Sequence, residues 1–258
     1  MNWIDTHTHI YLPEFEQDRN EVIERAKEVG VEHLLLPNVD LSTVDDLLAL
    51  CDQNPQTCFP MIGLHPCSVK EDFREVLEKL KVIIETERTR IIAIGEIGVD
   101  LYWDASTLKI QEEAFRQQIE WALTYELPIA VHIRNAFEDT LRIVQDYDDR
   151  GLRGVFHCFT GNAEQAKWLQ SRGYYLGIGG VATFKNGGVR EILHLLDQSL
   201  VILETDAPYL APTPFRGKRN EPMHIPRIAE TLAEAWNAPL NQVAEITSNN
   251  AKRLFNHA

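Results

Sequence analysis

The sequence predicts an α/β fold, a single-domain (β/α)8 TIM barrel, and three observations support this prediction. Eight short apolar runs recur along the chain, and amphipathic stretches lie between them. Near-continuous apolar runs rich in β-branched residues are typical of parallel strands that are covered on both faces. Eight strand–helix units within 258 residues match a closed barrel in number and in length. An open doubly wound sheet would favour a G-x-G-x-x-G turn after the first strand, and the chain has none there.

The predicted strands are the eight apolar runs, and their carboxyl ends are expected to meet at one face of the barrel. In chain order the strands cover residues 2–7, 32–37, 58–65, 91–98, 128–133, 154–159, 174–180 and 200–206. The predicted helices cover residues 14–30, 41–53, 71–87, 107–126, 136–147, 162–172, 187–197, 222–236 and 240–255. We expect a single barrel domain over residues 1–258.

Local signals mark the ends of several elements. Gly30 suits the position that follows a helix end, and Ser42 with Asp45 resembles a capping box at the start of the second helix. The glycines of "GIGG" (177–180) are expected to form a structural turn. The proline-rich segment 206–222 is expected to be a long irregular loop, and such loops in compact domains are often functional.

The charge of the chain restricts its partners. Its 39 acidic and 25 basic side chains give a formal net charge of −14. Such a surface repels phosphates at long range, so tight non-specific binding to duplex nucleic acid is not expected. Phosphate chemistry in a local pocket stays open, because bound cations can reverse the field there.

The cysteines and the absence of targeting signals indicate a cytoplasmic protein. The four cysteines form no C-x-x-C pair, and a chain of this size needs no disulfides for stability. No basic segment followed by an apolar run opens the sequence, so we expect no signal peptide. No apolar stretch approaches the roughly 20 residues that span a bilayer, so we expect no contact with a membrane.

Polar side chains concentrate where the active site of a barrel is expected, at the carboxyl ends of the strands. Five of the nine histidines fall at such ends, far more than a random scatter would place there: His7, His9, His65, His132 and His157. Carboxylates join them at the ends of the fourth and eighth strands: Glu96, Asp100, Glu204 and Asp206. The histidines His33, His194, His224 and His257 fall elsewhere. We predict a metal site at this face.

Nitrogen and carboxylate ligands without thiolates favour zinc, manganese or a similar divalent ion. The candidate ligands outnumber those that one catalytic zinc takes from protein. Two ions that share one bridging carboxylate would account for all of them. Glu96 is placed to be that bridge. Its alternative role is a buried acid paired with a base, but no basic residue is adjacent in sequence.

An ordered set of motifs resembles the TatD family of metal-dependent deoxyribonucleases, a branch of the amidohydrolase-type metallohydrolases. The motifs are "DTHTH", "GLHP", "GEIGVDLYW", "VHIRNAF", "FHCFTG", "LETDAPYL" and "RGKRNEP", and the match runs from Asp5 to "NNAKRLF" (249–255). Small departures, such as Thr8, Val99 and Leu101, leave every proposed ligand intact. They put the fine substrate preference in doubt.

The resemblance implies roles for the individual residues. It implies that one divalent ion is held by His7, His9, Glu96 and Asp206, and a second by Glu96, His132 and His157. The ions would be Zn²⁺, Mn²⁺ or Mg²⁺. The resemblance also places His65 and Glu204 within family motifs, for contact with the substrate or for support of the ligands.

These assignments predict a deoxyribonuclease that cleaves phosphodiester bonds. We expect it to act as an exonuclease on single-stranded ends, with a water molecule activated by two metal ions. Asp206 is the candidate general base and Arg134 the candidate phosphate contact. Arg219, Arg216 and Lys218 in the long loop could contact phosphate or form a solvated surface. Tyr102 and Trp103 could stack on a base or cover the rim of the barrel.

Two other functions stay open from the sequence. The same site could hydrolyse an ester, a lactone or an amide, for example a D-aminoacyl-tRNA. A protein of another class would bind metal and regulate a partner without catalysis. The partners expected are DNA ends or another small phosphodiester or ester, and no obligate protein partner is evident. The native metal, the cleavage polarity and the oligomeric state are not determined by the sequence.

Overall fold

Eight parallel strands form a single sheet in the order of the chain, and each strand pairs with the next. The computed structural model describes residues 1–256, so His257 and the end of the predicted 1–258 domain lie outside the described residues. The strands are β1 (Trp3–Asp5), β2 (Val31–Pro37), β3 (Cys58–Ile62), β4 (Ala93–Asp100), β5 (Ile129–Arg134), β6 (Gly154–Phe156), β7 (Tyr175–Ile178) and β8 (Val201–Leu203).

Helices connect the strands on the outside of the sheet. They are α1 (Arg19–Glu28), α2 (Val44–Gln53), α3 (Phe73–Thr86), α4 (Leu108–Thr124), α5 (Phe137–Gln145), α6 (Ala163–Gln170), α7 (Ile225–Trp236) and α8 (Leu240–Phe255). The first six lie between consecutive strands, and α7 and α8 follow β8. Across residues 1–256, no helix combines the length and the apolar character needed to cross a membrane.

The sheet closes on itself where the chain leaves β1 and β8. The amide of Thr6 donates to the carbonyl oxygen of Leu203 at 3.0 Å, and that of Asp206 to His7 at 2.8 Å. Thr8 then forms a parallel bridge with Ala207. The predicted (β/α)8 barrel is thus confirmed, and its closing hydrogen bonds include two of the proposed metal-site residues.

An apolar cluster fills the barrel interior. Every strand contributes at least one side chain to it, and α8 adds Ala251, Leu254 and Phe255. The larger cluster packs the outer helices against the outer faces of the strands. With these layers apolar, the polar side chains are left at the carboxyl ends of the strands, where barrels place their active sites.

Several strands end earlier than predicted, just before the polar residues. The predicted 154–159 run ends at Phe156, and the 200–206 run ends at Leu203. Cys158 and Asp206 have φ angles of 45° and 56°, which are incompatible with an extended strand. His157 and Asp206 therefore lie in turns that follow the ends of these two strands.

The first predicted helix, 14–30, is shorter in the structure because α1 begins at Arg19. The Arg19 guanidinium donates to three loop carbonyl oxygens, those of residues 10–12, at 2.7–3.2 Å. Pro13–Phe15 form a separate 3₁₀ turn. Gly30, with φ 87°, follows the helix end as predicted.

The helix predicted at 187–197 is wrong in type, because Val189–Leu195 form a 3₁₀ helix. The Trp236 indole donates to the carbonyl oxygen of Leu193 at 3.1 Å and so competes for a backbone acceptor that an α-helix would use. A segment this short also gains little from α-helical cooperativity.

The predicted capping box at Ser42 and Asp45 is also wrong, because the box lies two residues earlier. Asp40 accepts a hydrogen bond from the Ser42 amide at 2.9 Å, and Thr43 Oγ1 accepts one from the Asp40 amide at 3.2 Å. This box caps a 3₁₀ turn, Leu41–Thr43, that precedes α2.

Candidate metal centre

The five predicted histidines converge with Glu96 and Asp206 at the carboxyl ends of the strands. His7 and His9 follow β1, His65 follows β3, Glu96 lies in β4, His132 in β5, His157 follows β6, and Asp206 follows β8. The histidine side chains are only 1–17% exposed. Residues far apart in the sequence thus form one buried polar cluster.

One group of candidate ligands surrounds the Oε2 atom of Glu96. The Nε2 atoms of His7 and His9 lie 3.2 Å from each other, and 3.2 and 3.6 Å from that oxygen. Asp206 Oδ1 lies 3.8 Å from His7 Nε2 and 3.5 Å from His9 Nε2. These four side chains therefore point their ligand atoms at a common position.

A second group surrounds the other oxygen of Glu96. The Oε1 atom lies 2.7 Å from His132 Nδ1 and 2.8 Å from His157 Nε2, and these two nitrogens are 3.2 Å apart. The His7 and His157 rings stack with their centroids 3.9 Å apart, so the two groups adjoin. Each carboxylate oxygen of Glu96 thus faces one group.

The hydrogen bonds behind His9 direct its free lone pair into the site. The Tyr11 hydroxyl donates to the carbonyl oxygen of Pro37 at 2.6 Å, so it can only accept from His9 Nδ1, which lies 3.0 Å away. A proton on Nδ1 leaves Nε2 as the lone-pair atom, which is the form of imidazole that ligates metal.

Asp100 orients the His132 ring in a similar way, but it contacts Nε2, whereas Tyr11 contacts Nδ1 of His9. Its Oδ2 lies 2.9 Å from His132 Nε2, so Nε2 carries a proton and Nδ1 is the ring atom directed at Glu96. Burial raises the pKa of Asp100, but the bonds from His132 and the Tyr102 amide outweigh it and bring the pKa to about 2. An ionised carboxylate behind a ligating histidine is a common support in metal sites.

His65 has the opposite arrangement and acts as a donor. Its Nδ1 accepts the Cys67 amide at 3.0 Å, so in the neutral ring the proton is on Nε2. That Nε2–H points at Glu96 Oε1 from 3.3 Å. Burial lowers the pKa of His65 and favours this neutral form. His65 is therefore placed to donate a hydrogen bond to an oxygen in the site rather than to ligate a metal.

The cluster fits divalent ions because lone pairs face one another across it. Tetrahedral ligands about 2.0–2.2 Å from one ion lie roughly 3.3–3.6 Å apart, and the atoms around Glu96 Oε2 are separated by 3.2–3.8 Å. Burial by itself raises the pKa of Glu96, but the neighbouring imidazoles of His157, His65 and His7 hold it well below its ordinary range. The site thus keeps Glu96 ionised between the two groups, which suits a bound cation.

Glu204 supports the site from behind. Its carboxylate is completely buried, accepts the Cys158 amide, and has Oε1 3.6 Å from His157 Nδ1. Gly177, in β7, leaves the space for it, since a Cβ there would lie 2.2 Å from Glu204 Oε2. Its burial behind His157 favours support of the ligands, the second of the two roles predicted for Glu204, over contact with the substrate. The expected turn role of "GIGG" is wrong for Gly177.

Left-handed backbone marks three turns at the site. Asn135, Cys158 and Asp206 have φ angles of 54°, 45° and 56°. Each such non-glycine residue costs on the order of 1–3 kcal/mol and persists only where surrounding contacts hold it. The Asp206 amide is held by the His7 carbonyl oxygen at 2.8 Å. This turn places the Asp206 carboxylate beside His7 and His9.

The predicted phosphate-contacting cations have different surroundings in the structure. Arg134, two residues past His132, makes no ion pair with any side chain of residues 1–256, and its guanidinium stacks 3.6 Å from the Tyr102 ring centroid. Arg216 lies 4.1 Å from the ring centroid of Phe184. Of these cations, Arg134 is both adjacent to the cluster and free of a carboxylate.

Arg219 is the predicted site residue that the structure places elsewhere. Its guanidinium donates to both oxygens of Asp18 at 2.7 Å and to Glu221 at 2.9 Å. The hydrogen bond from Arg219 brings the pKa of Asp18 to about 2. These carboxylates neutralise Arg219, which holds the 206–222 loop near α1, and the substrate contact predicted for it stays a prediction.

Sequence reasoning gave no role to Asp100, Tyr11 and Gly177. Asp100 carried a usable signal, because it lies four residues after Glu96 in one strand and therefore on the same face. Tyr11 and Gly177 carried none, since each acts on a residue brought close only by folding.

Replacing Asp100 with asparagine is expected to weaken metal binding at the His132 side about 10- to 100-fold. An amide that keeps the Tyr102 bond would present its NH₂ group to His132 Nε2 and move the ring proton to Nδ1, onto the ligand atom. Calorimetric titration of metal-stripped protein with Zn²⁺ would measure the change. Asp104→Asn is the matched control, because Asp104 caps an exposed turn and asparagine caps equally well. Unchanged affinity in Asp100→Asn would contradict the support role.

Comparison with known proteins shows the family of this chain. A model of the TatD related DNase family matches residues 4–256. YabD of Bacillus subtilis, named an uncharacterized metal-dependent hydrolase, is 38% identical over 252 residues, which cover 97% of this chain and 98% of that protein. The 3′-5′ ssDNA/RNA exonuclease TatD of Erwinia tasmaniensis is 31% identical over 258 residues, with 98% and 99% covered.

A solved structure resembles the whole fold. The crystal structure of YjjV, a TatD homologue from Escherichia coli K12, has a TM-score of 0.93 and 30% identity to this chain, and the match covers 99% of this chain and 98% of that one. The family resemblance and the hydrolase class predicted from the motifs are therefore confirmed. The chain belongs to the TatD family, the TatD related DNases, and is a metal-dependent hydrolase.

Proposed function

We propose that this hydrolase cleaves phosphodiester bonds at single-stranded DNA ends with two divalent ions. The observation that carries the proposal is the position of Glu96, whose two oxygens face two separate groups of histidines. His7, His9, Glu96 and Asp206 would hold one ion, and Glu96, His132 and His157 would hold the other. When bound, the ions would supply Lewis-acid activation of water and would neutralise charge on the phosphate.

Asp206 is the proton acceptor of the proposed reaction. Burial raises its pKa, but the imidazoles of His9, His157 and His7 around it lower it below the ordinary value, so the carboxylate is ionised. Its side chain is 14% exposed and can reach a water in the site. Asp206 takes a proton from the attacking water and returns it to the leaving oxygen of the cleaved bond.

His65 and Arg134 orient the phosphate. The Nε2–H group of His65 is available to a non-bridging phosphate oxygen, because its Nδ1 is fixed by the Cys67 amide. The planar guanidinium of Arg134 suits bidentate contact with a second oxygen. Both side chains flank the His132 side of the cluster: His65 and His132 rings lie 4.5 Å apart, and Arg134 follows two residues after His132.

The charge of the chain favours an end of a single strand over a duplex. A net charge of −14 disfavours binding along many phosphates. The Erwinia tasmaniensis relative, named a 3′-5′ ssDNA/RNA exonuclease, supports the same substrate class and the 3′-to-5′ direction.

Hydrolysis of a 5′-labelled single strand by metal-stripped protein tests the proposal, with Mg²⁺, Mn²⁺ or Zn²⁺ added back. We expect a ladder of labelled products that shortens from the 3′ end only when metal is present. Immediate release of labelled mononucleotide would give the opposite polarity. Intact DNA with full metal binding would overturn the proposal, and aminoacyl esters and lactones would be assayed next. A metal-binding regulator would hydrolyse none of these.

A further inference from the structure

Large apolar side chains are exposed at the rim of the metal site. Seven such side chains are exposed among residues 1–256, and four of them lie in the loops after β4 and β8. They are Tyr102 (50%), Trp103 (74%), Tyr209 (49%) and Leu210 (40%). Trp103 does not cover the barrel rim, because nearly three quarters of its surface faces solvent. Exposed apolar surface concentrated beside a site marks a place of binding.

Asp100 links the Tyr102–Trp103 pair to the metal cluster, because it contacts both. One oxygen of Asp100 accepts the Tyr102 amide at 2.9 Å, and the other lies 2.9 Å from His132 Nε2. The Gln111 amide group holds the Asp100 backbone through two bonds of 2.8 and 2.9 Å. The carboxylate that orients a ligand thus also fixes the loop that carries the aromatic pair.

The two rings and a free cation form one stacked unit. The Arg134 guanidinium lies 3.6 Å from the Tyr102 centroid and 5.7 Å from that of Trp103. The Trp103 ring meets Tyr102 edge to face, with centroids 4.9 Å apart and planes at 88°. The unit offers an open indole face for a planar apolar group, and beside it a positive charge for an anion. A nucleotide has both parts.

We propose that the Tyr102–Trp103 pair is a platform on which the nucleobase next to the scissile phosphate stacks. This inference rests on the proposed function and deepens it, because it names the feature of the substrate that is recognised. In a duplex both faces of a base are covered by neighbours, whereas a single-stranded end leaves a face free to stack on Trp103. The acidic chain therefore holds its polyanionic substrate chiefly by stacking, with Arg134 as the local countercharge.

Binding of a short oligodeoxynucleotide to metal-free protein tests the platform without turnover. Base–aromatic stacking contributes about 1–3 kcal/mol per base, so Trp103→Ala is expected to raise Kd about 5- to 150-fold. Trp103→Phe should restore most of the affinity. Binding should quench tryptophan fluorescence in the parent protein, and the quench should vanish in Trp103→Phe. With metal added, Trp103→Ala should raise KM by the same factor and change kcat less than about twofold.

Two controls isolate the base contact. Trp168→Ala is the matched variant, because Trp168 is also stacked on an arginine, Arg172 at 3.7 Å, but lies on α6. It should bind DNA as the parent does. An oligonucleotide with an abasic end should bind the parent as weakly as an intact strand binds Trp103→Ala.

Equal Kd and KM in Trp103→Ala and the parent, with normal cleavage, would overturn the platform and leave the nuclease function intact. A parent protein that cleaves no single strand but hydrolyses other esters would overturn the proposed function and, with it, the platform.

Discussion

Glu96→Gln is expected to lower kcat/KM by at least about 10³-fold and to weaken the binding of both ions. Glu96 supplies one oxygen to each group of histidines, at 3.2 Å from His7 and 2.7 Å from His132. Glutamine has one acceptor oxygen and one NH₂ group, so one of the two histidine groups would face a hydrogen-bond donor instead of a carboxylate oxygen. Asp206 also lies with one histidine of each group, His7 and His157, but Glu96 is the carboxylate found both with His7 and His9 and with His65 and His132.

Metal content and activity together test this prediction. Stoichiometry by elemental analysis and affinity by calorimetry should both fall in Glu96→Gln, while the thermal unfolding profile confirms that the barrel is folded. Glu113→Gln is the matched control, because Glu113 is an exposed acid paired with Arg74 on the outside of the barrel. Two ions bound with parental affinity in Glu96→Gln would show that Glu96 is not a bridge.

Asp206→Asn is expected to lower kcat about 10²- to 10⁴-fold, the usual contribution of a positioned acid or base. Asparagine keeps the shape and one oxygen that can ligate, so the ion near His7 and His9 should be retained with a smaller loss of affinity. An amide cannot accept the proton of the attacking water. The loss should therefore appear in kcat rather than in KM.

The pH profile distinguishes a lost base from a lost ligand. Because the histidines around Asp206 lower its pKa, the parent should keep an ionised base well into the acid range, and Asp206→Asn should lose the acid limb that this group contributes. Asp197→Asn is a suitable control, since Asp197 caps an exposed turn at Ser199 and asparagine caps equally well. A kcat within about threefold of the parent at saturating metal would remove Asp206 from the role of base.

The alternation of side chains along strands made the cluster predictable from sequence. Apolar runs locate the strands, a barrel gathers their carboxyl ends at one face, and polar residues at those ends must then meet. His132 and His157 meet for this reason, although 25 residues separate them. The same kind of pattern predicted an α-helix at 187–197, where a 3₁₀ helix forms. The type of helix there depends on a hydrogen bond from Trp236 of α7 to the Leu193 carbonyl oxygen.

The chemistry of each ligand was decided by contacts that only folding makes. The lone pair of His9 faces the site because Tyr11 is bound to Pro37, and that of His132 because Asp100 lies behind it. Tautomers depend on the partner of the second ring nitrogen, and sequence spacing carries no information about that partner.

Tertiary contacts also decided which charges are available to a substrate. Arg134 and Arg219 look alike in the sequence as cations near family motifs. In the fold, Asp18 and Glu221 neutralise Arg219, while Arg134 stacks on Tyr102 and makes no ion pair within residues 1–256. The sequence by itself determined the barrel and the residues at its rim, because strand periodicity is local. The tertiary structure decided which ring nitrogens have partners, the position of Glu96 between two groups of histidines and which cation has no carboxylate partner, because each depends on residues distant in the chain.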